Sequence, residues 1–503
     1  MNSADEFLAT GEKFKLGVLE TEKPNPLTMN LSNLAQNDLR QAVQVLASVD
    51  IQALEILKSK IESVITLRKA ILSVWSSGGR VFLCGCGATG RLSIALEVLS
   101  RRPDRVIGFM AGGDVALVHS LEGFEDYPEY GERHLQELGF KAGDLLIAST
   151  EGGETPYVIG ATEWASRQSK HSPFILYCNP DEILVNHVAR SKKFIENNKI
   201  QKINLSVGPM ALAGSTRMQA STVIQLAIGF ALLTDFDSRQ IDENISLMQN
   251  LLRENAHHFL PPFIEREASE YLAERYIMYS VQDYAITVFT DTTERAPTFS
   301  LTPFSHPKAT RLLKLKPSKS FISIAGAKNK EEAWKVLLGR EPRPLNWLDI
   351  DERTGTDYLS EFDFSQNAFA FRKWLTAGTD HSIFEIFKHD GGLLWRFQDV
   401  ESSLILPENS TPLFEHLLLK MLINMHSTLV MGRLGRYKRN LMTWVYPTNG
   451  KLIDRTARYA QVLLQEEGVT VSYEKVVREI FAQKNKISAN ESIVLAVYNE
   501  LKK

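Results

Sequence analysis

The residues best suited to bind an anion lie in one short stretch, RVFLCGCGATGR, between Arg80 and Arg91. An apolar run leads into a turn that contains Gly85, Gly87 and Gly90, and the amphipathic segment LSIALEVLSRR follows. This order predicts a strand, a glycine turn and the first turn of a helix. Glycines let backbone N–H groups approach an anion, and a helix N-terminus adds partial positive charge. The pattern indicates a site for a phosphorylated small molecule in an α/β domain.

The same glycine spacing also fits two other structures. GxGxxG marks dinucleotide sites, which place an acidic residue about 20 positions later, at the end of the next strand. Asp104 lies near that distance but precedes the next apolar run. The third interpretation is a turn that serves packing alone, and the turn by itself does not separate the three.

Two further turns contain groups that suit a sugar phosphate. In GSTR, the hydroxyls of Ser215 and Thr216 can cap a helix, which is the commoner role, or donate to phosphate oxygens. TEGGETP, at 150–156, contains two glutamates that would repel a phosphate but can accept hydrogen bonds from sugar hydroxyls. EGFED, at 122–126, is either a solvated surface or the source of a carboxylate for proton transfer.

The elements that must position these groups alternate between strands and helices. The predicted strands of the first half each end at a cluster of Gly, Pro, Ser or Thr: Val106–Met110, Asp144–Ser149, Phe174–Tyr177 and Ile203–Val207. This pattern predicts a parallel sheet with crossover helices, whose ligands bind beyond the carboxyl ends of the strands.

A second strand–helix series follows a helical stretch at 240–275. Its predicted elements are the strands Ala285–Thr290, Phe321–Ala325 and Gly392–Phe397 and the long helix Pro412–Leu434. The segments that begin at Gly214 and Asn409 share hydroxyl residues followed by a long helix, which favours a diverged duplication. We expect an N-terminal helical segment at 1–75 (helices from 37, with 1–30 extended), α/β domains at 76–240 and 241–455, and a helical cap at 456–503.

Composition excludes several classes of function. A net charge of −3 gives no electrostatic case for nucleic acid or an anionic membrane. Cys84, Cys86 and Cys178 make no disulfide framework, and neither they nor the scattered histidines have metal-ligand spacing. The N-terminus lacks the apolar core of a signal peptide, and the apolar runs are too short to span a bilayer. We expect a cytoplasmic protein without a metal.

Seven motifs occur in order along the chain and are identified together: GCGATGRL, GFMAGGD, LEGFED, TPYVIGA, CNP, GPMALAGSTRMQA and GRLGRYKRNLMTWVYPTNGKLIDR. They resemble the N-acetylmuramic acid 6-phosphate etherases, which carry a sugar isomerase-type (SIS) phosphosugar domain. The second α/β half, AWKVLLGREPRPLNW and the C-terminal cap are similar to the related glucokinase regulatory protein. The resemblance implies two SIS domains, each a doubly wound parallel sheet between helical layers.

The resemblance also implies two catalytic carboxylates. The family's EGxED motif points to Glu125, whereas the position of its other glutamate is Leu99 in the first half. TDTTERAPTF in the second half matches that missing motif and places Glu294 at the glutamate. The family enzyme resembles a symmetric dimer, and this chain resembles the two subunits of that dimer fused into one. Glu125 of the first half and Glu294 of the second can therefore form one acid/base pair. Alternatively, Glu294 is a relic paired with Arg295 or Arg311.

Ten residues are implied as contacts of the phosphosugar, with Lys451 reaching it from the second half: Gly87, Ala88, Thr89, Gly90, Thr150, Gly152, Gly153, Ser215, Thr216 and Lys451. Two family motifs are altered, so that Glu154 replaces an arginine and Gln219 a lysine. The loss of two cations weakens phosphate binding.

The resemblance leaves two functions open. The first is an etherase-type lyase that releases D-lactate from N-acetylmuramic acid 6-phosphate, without metal or organic cofactor. The second is a non-catalytic sensor that binds a sugar phosphate such as fructose 6-phosphate and controls a partner such as a sugar kinase. An aldose–ketose isomerase shares the fold but has less similar motifs. We expect a monomeric pseudo-dimer or a dimer, since fused halves reduce the need for a second chain.

Overall fold

The computed structural model describes residues 3–14, 16–254, 256–304, 317–376, 379–488 and 491–503. The N-terminal segment contains α1 (Ala4–Thr10), α2 (Leu31–Asn37), α3 (Leu39–Lys58) and α4 (Ile61–Ser76). The helical stretch predicted from 37 is therefore broken by a turn at Ser59. The prediction that residues 1–30 are extended is wrong in part, because α1 and short 3₁₀ turns lie there.

The first sheet is fully parallel, with strand order β2-β1-β3-β4-β5. Its elements are β1 (Val81–Gly85), α5 (Gly87–Ser100), β2 (Val106–Met110), α6 (Gly113–Val118), α7 (Pro128–Glu137), β3 (Leu145–Ser149), α8 (Pro156–Gln168), β4 (Phe174–Tyr177), α9 (Asp181–His187), α10 (Ala189–Glu196), β5 (Gln201–Asn204) and α11 (Gln219–Leu233). β5 ends before the predicted Val207, because the Asn204 side chain accepts the Ser206 N–H and closes a turn.

The second sheet is mixed, with strand order β10-β9-β8-β6-β7. β6 is parallel to β7 and β8, whereas β8, β9 and β10 pair antiparallel. The elements are α12 (Ser238–Arg253), α13 (Leu260–Leu272), β6 (Tyr276–Val281), α14 (Ala285–Phe299), β7 (Ser320–Ile324), α15 (Lys330–Leu338), α16 (Thr356–Leu359), α17 (Gln366–Leu375), β8 (His381–His389), β9 (Gly392–Phe397) and β10 (Val400–Ile405).

The predicted strand Ala285–Thr290 is wrong, because these residues form the first turns of α14. AITVFT is rich in β-branched and aromatic residues, which favour strands, and tertiary packing overrides this local preference. α14 packs against α5 in the first half and against α18 (Pro412–Arg433) in the second. The strand that opens the second half is β6, about ten residues earlier in the chain.

A buried ionic network connects the two halves. Arg217, just before α11, donates to Asp291 of α14 at 2.7 Å and to Thr428 of α18 at 2.7 Å. Asp291 also accepts from Arg295, which donates in turn to Glu267 of α13 at 2.8 Å. Burial alone would raise the pKa of Asp291, but Arg295 and Arg217 hold it below its usual value. Removing one member would leave a buried charge, so this network fixes the halves against each other.

Three helices close the fold: α19 (Gly450–Glu466), α20 (Tyr473–Lys484) and α21 (Ile493–Lys502). The Asn449 side chain accepts the Leu452 N–H and caps α19, which starts beside Glu125 of the first half. In the part of the chain that the structure describes, no helix is both long enough and apolar enough to cross a membrane.

Candidate functional site

A cavity of about 150 Å³ lies where the carboxyl end of the first sheet meets α14 and α19. Eight of the residues singled out from the sequence line it: Gly87, Ala88, Glu125, Gly152, Ser215, Thr216, Glu294 and Lys451. These eight residues come from four turns of the first half and two helices of the second.

The glycine turn after β1 brings the start of α5 into this cavity. Gly87 has a φ of +54°, and any side chain at Gly85 would lie 2.3 Å from the backbone of Thr89. The Thr89 hydroxyl accepts the Cys86 N–H at 3.0 Å and so caps the helix. Gly87 and Ala88 consequently present the positive end of a 14-residue helix to the cavity.

Glu125 is held by contacts to both halves. Its backbone carbonyl accepts the Tyr157 N–H at 3.0 Å. Its Oε1 accepts the Asn449 amide at 3.2 Å, and its Oε2 lies 3.9 Å from Lys451 Nζ. The side chain keeps 17% of its surface exposed, so the carboxylate is oriented but reachable from the cavity.

Glu294 enters the same cavity from α14. Its Oε2 lies 2.7 Å from Nη1 of Arg91, a buried residue of α5. The expected alternative partner Arg295 instead pairs with Asp291 and Glu267, and Arg311 lies outside the described residues. Glu294 thus has an arginine partner from the opposite half and still lines the cavity.

Lys451 is held between two carboxylates of the first half. Its Nζ lies 2.9 Å from Glu154 Oε1, and Glu154 also accepts from Arg190. Burial alone would raise the pKa of Glu154, but Lys451 and Arg190 lower it to about 2. The glutamate that replaces the expected arginine therefore positions the lysine.

Two buried polar atoms beside the cavity have neither a hydrogen-bond partner nor an ion pair among the described residues. They are Ser215 Oγ and Glu151 Oε1, on residues that are 4% and 7% exposed. Burial raises the pKa of Glu151 to about 8, and the negative charge of Glu294 acts in the same direction. Buried polar groups are rarely left unpaired, so both atoms suit a bound ligand.

Four sequence-predicted residues lie behind the cavity wall. Thr89 caps α5, Gly90 packs against Met110, and the Thr150 hydroxyl pairs with that of Thr155 at 3.0 Å. Gly153, with a φ of +71°, turns the loop after β3. These residues shape the turns, while Gly87, Ala88 and Gly152 reach the cavity itself.

Sequence reasoning missed Glu22 and Arg455, which also line the cavity. Arg455 of α19 donates to Glu22 at 2.6 Å, and Arg458 adds a second ion pair at 2.9 Å. Glu22 lies in a segment without periodicity, so no pattern could have singled it out. In the described residues, no group of three or more His, Cys, Asp or Glu side chains is arranged to hold a metal.

Comparison with known proteins identifies the relatives of this chain. Residues 63–166 match the family model of the glucokinase regulatory protein N-terminal SIS domain. The N-acetylmuramic acid 6-phosphate etherase of Prochlorococcus marinus (strain MIT 9303) is 33% identical over 255 residues, which are 47% of this chain and 75% of the relative. That of Salmonella agona (strain SL483) is 33% identical over 219 residues, 42% and 68% of the two chains.

This chain belongs to the N-acetylmuramic acid 6-phosphate etherase family. Among solved structures, tagatose-6-phosphate ketose/aldose isomerase from Escherichia coli is similar with a TM-score of 0.39 and 11% identity, covering 80% of this chain and 97% of that one. The matched parts of these two etherases span 42% and 47% of this family member.

Proposed function

We propose that this chain binds a phosphorylated amino sugar in the cavity and cleaves its C3 ether with Glu125 and Glu294. The observation that carries the proposal is that these two carboxylates, 169 positions apart by their residue numbers, line one cavity together with Lys451. Paired carboxylates in different surroundings are suited to divide the roles of acid and base.

The reaction we propose is elimination followed by hydration. In the open-chain sugar, the C1 carbonyl acidifies the C2 proton, which one carboxylate removes. The C3–O bond then breaks, and a carboxylic acid protonates the departing lactate oxygen. Water adds to the resulting double bond, which gives lactate and the 3-hydroxy sugar phosphate, so one water is consumed overall.

The phosphate is best accommodated by the first half. The start of α5 offers backbone N–H groups at Gly87 and Ala88, and Ser215 offers a buried hydroxyl without another partner. Thr216 and Lys451 line the same space. Neutral N–H and O–H donors therefore take over part of the phosphate binding that two cations provide in the family motifs. Glu154 and Gln219 stand at the positions of those cations, and the Gln219 amide donates to the Pro209 carbonyl.

Release of D-lactate from N-acetylmuramic acid 6-phosphate by the purified chain tests the proposal. We expect Glu125→Gln and Glu294→Gln to lower turnover by a factor of about 10² or more, since each removes a proton-transfer group. Binding of the sugar phosphate should persist in both variants. Glu182→Gln, on the exposed start of α9, is the matched control. Unchanged lactate release in both site variants would refute the assigned roles.

The second candidate is a sensor that binds a sugar phosphate and regulates a sugar kinase. The match to the regulatory protein domain at 63–166 favours it, as do the ion pairs that already engage Glu294 and Lys451. A sensor would show a higher melting temperature with fructose 6-phosphate but release no lactate. Cys84, Cys86 and Cys178 form no disulfide in the described residues, which supports a cytoplasmic location for either function.

A further inference from the structure

Glu151 is a buried carboxyl group that the proposed acid/base pair does not use. It follows β3, and its backbone carbonyl accepts the Cys178 N–H at 2.9 Å, which fixes the loop. Its side chain lines the cavity and is 7% exposed, and its Oε1 has no partner among the described residues. A purely structural glutamate at this depth would be paired, because an unpaired buried polar group destabilises the folded state.

The surroundings of Glu151 are already rich in carboxylates. Glu22, Glu154 and Glu294 line the same cavity, and each forms an ion pair with its own arginine or lysine. The charged and titratable groups that act on Glu151 or touch it come from four elements: Glu294 of α14, Lys420 of α18, Lys451 of α19 and Cys178 after β4. No lysine or arginine forms an ion pair with Glu151 in the described residues, and an ionised Glu151 would add to the repulsion of an anionic ligand.

We infer that Glu151 enters the ligand complex as the neutral carboxylic acid and donates a hydrogen bond to an anionic oxygen of the bound sugar. It is then a specificity-determining residue for an acidic carbohydrate. The inference rests on the proposed function, because it concerns the ligand of the same cavity. Phosphate and lactyl carboxylate share the required chemistry, and both accept an O–H donor strongly.

The consequence is that ligand affinity depends on the proton of Glu151. Because burial and Glu294 raise the pKa of this group to about 8, it is mostly neutral near pH 7 and mostly ionised near pH 9. If only the neutral form binds, affinity should be about tenfold weaker at pH 9 than at pH 7. A sugar phosphate stays doubly ionised across that range, since its second pKa is about 6.

Isothermal titration calorimetry with two ligands separates the sources of the anionic oxygen. N-acetylglucosamine 6-phosphate carries only the phosphate, and N-acetylmuramic acid carries only the carboxylate. We expect the tenfold loss with the ligand whose anionic group contacts Glu151. At about pH 9, titrations in buffers of different ionisation enthalpy should show uptake of nearly one proton per bound ligand.

Three variants make the assignment specific. Glu151→Gln keeps a donor and should bind with nearly the same affinity at pH 7 and pH 9, whereas Glu151→Ala should bind more weakly at both. Cys86→Ser is the matched control, because Cys86 lines the cavity and ordinary thiols titrate in this range. It should keep the wild-type pH dependence.

Infrared spectroscopy tests the protonation of Glu151 without any ligand. At pH 7, the wild-type protein should show a protonated-carboxyl band that Glu151→Gln lacks.

The outcomes distinguish this inference from the proposed function. Binding by the wild-type chain with equal affinity at both pH values would overturn the role of Glu151 and leave the lyase proposal intact. The same pH dependence in Glu151→Gln as in the wild type would also overturn it. Failure of the wild-type chain to bind either ligand at pH 7 would overturn both.

Discussion

The helices α5 and α14 follow the first strand of the first and second half, respectively. Each carries a glutamate next to arginines, yet the two carboxylates have different surroundings. Glu97 of α5 is 1% exposed at its side chain and accepts from both Arg340 and Arg343. Arg340 also bonds to Asp114 at 2.6 Å. Glu294 of α14 is 15% exposed, pairs with one arginine and lines the cavity.

The difference shows that two ion-paired glutamates can differ in whether a ligand could reach them. Burial disfavours the charge of Arg340, but Asp114 and Glu97 raise its pKa above its usual range. This cluster around the buried Glu97 carboxylate fixes the 340–343 segment against the first half. Glu294, with an open side, keeps a carboxylate oxygen near the space where a ligand fits. An ion pair therefore excludes a catalytic role for a carboxylate only when it also prevents a ligand from reaching that carboxylate.

The comparison of Glu97 with Glu294 predicts its largest effect on the free energy of unfolding. We expect Glu97→Gln to lower the free energy of unfolding by roughly 2–4 kcal/mol, because it leaves buried guanidinium groups short of a carboxylate. Glu294→Gln should cost only about 1 kcal/mol, since Arg91 keeps its bonds to backbone carbonyls and Thr293. Urea denaturation of both variants measures the two values. Equal losses would show that Glu294 is as structural as Glu97.

An effect of intermediate size is expected on the pH dependence of stability, where Glu154 and Glu151 of one loop should differ in sign. Lys451 and Arg190 hold the folded-state pKa of Glu154 at about 2, so its stabilising contribution is full above its ordinary pKa and is lost as pH falls towards 2. Glu154→Gln should therefore destabilise the protein by about 1–3 kcal/mol at pH 7, and less near pH 4. Burial raises the folded-state pKa of Glu151, so Glu151→Gln should gain stability relative to the wild type as pH rises from about 5 to 9. Denaturation at several pH values tests both signs, and parallel curves would contradict them.

The smallest effect concerns the position at which the family glutamate is missing. Leu99 is only partly buried and lies near the end of α5. Leu99→Glu should change stability by no more than about 0.5–1 kcal/mol. It should not restore lactate release to a Glu294→Gln variant, because Leu99 does not line the cavity among the described residues. Restored turnover in the double variant would mean that the first half supplies its own acid/base pair.

The first sheet could be predicted closely from the sequence, and the start of the second half could not. Residues of β1 to β4 are buried throughout, so each strand appears in the sequence as an apolar run, and turn-forming residues follow each run. No residue of α14 is fully exposed, because the helix lies between α5 and α18, and its β-branched and aromatic start predicted a strand.

The site was predictable only where a motif identified it. Glu125, Glu294 and Lys451 follow from resemblance to known motifs, and the structure brings all three to one cavity. Arg91 as the partner of Glu294 depends on how two helices cross, which no local pattern encodes. The same holds for Glu22, which reaches Arg455 across most of the chain. Whether the domain boundaries at 76–240 and 241–455 mark independent units stays a prediction.

The hydrogen bond from Asn449 to Glu125 joins residues 324 positions apart. A chain emerging from the ribosome therefore completes its first parallel sheet well before α19 has been synthesised, since domains tend to fold in order of synthesis. During that interval the nascent protein has the turns at the end of its first sheet but not the helix α19 that lines the cavity with them. Premature termination before residue 449 would yield a fragment that contains the strands of the first sheet but lacks α19, which supplies Lys451 and Arg455 to the cavity.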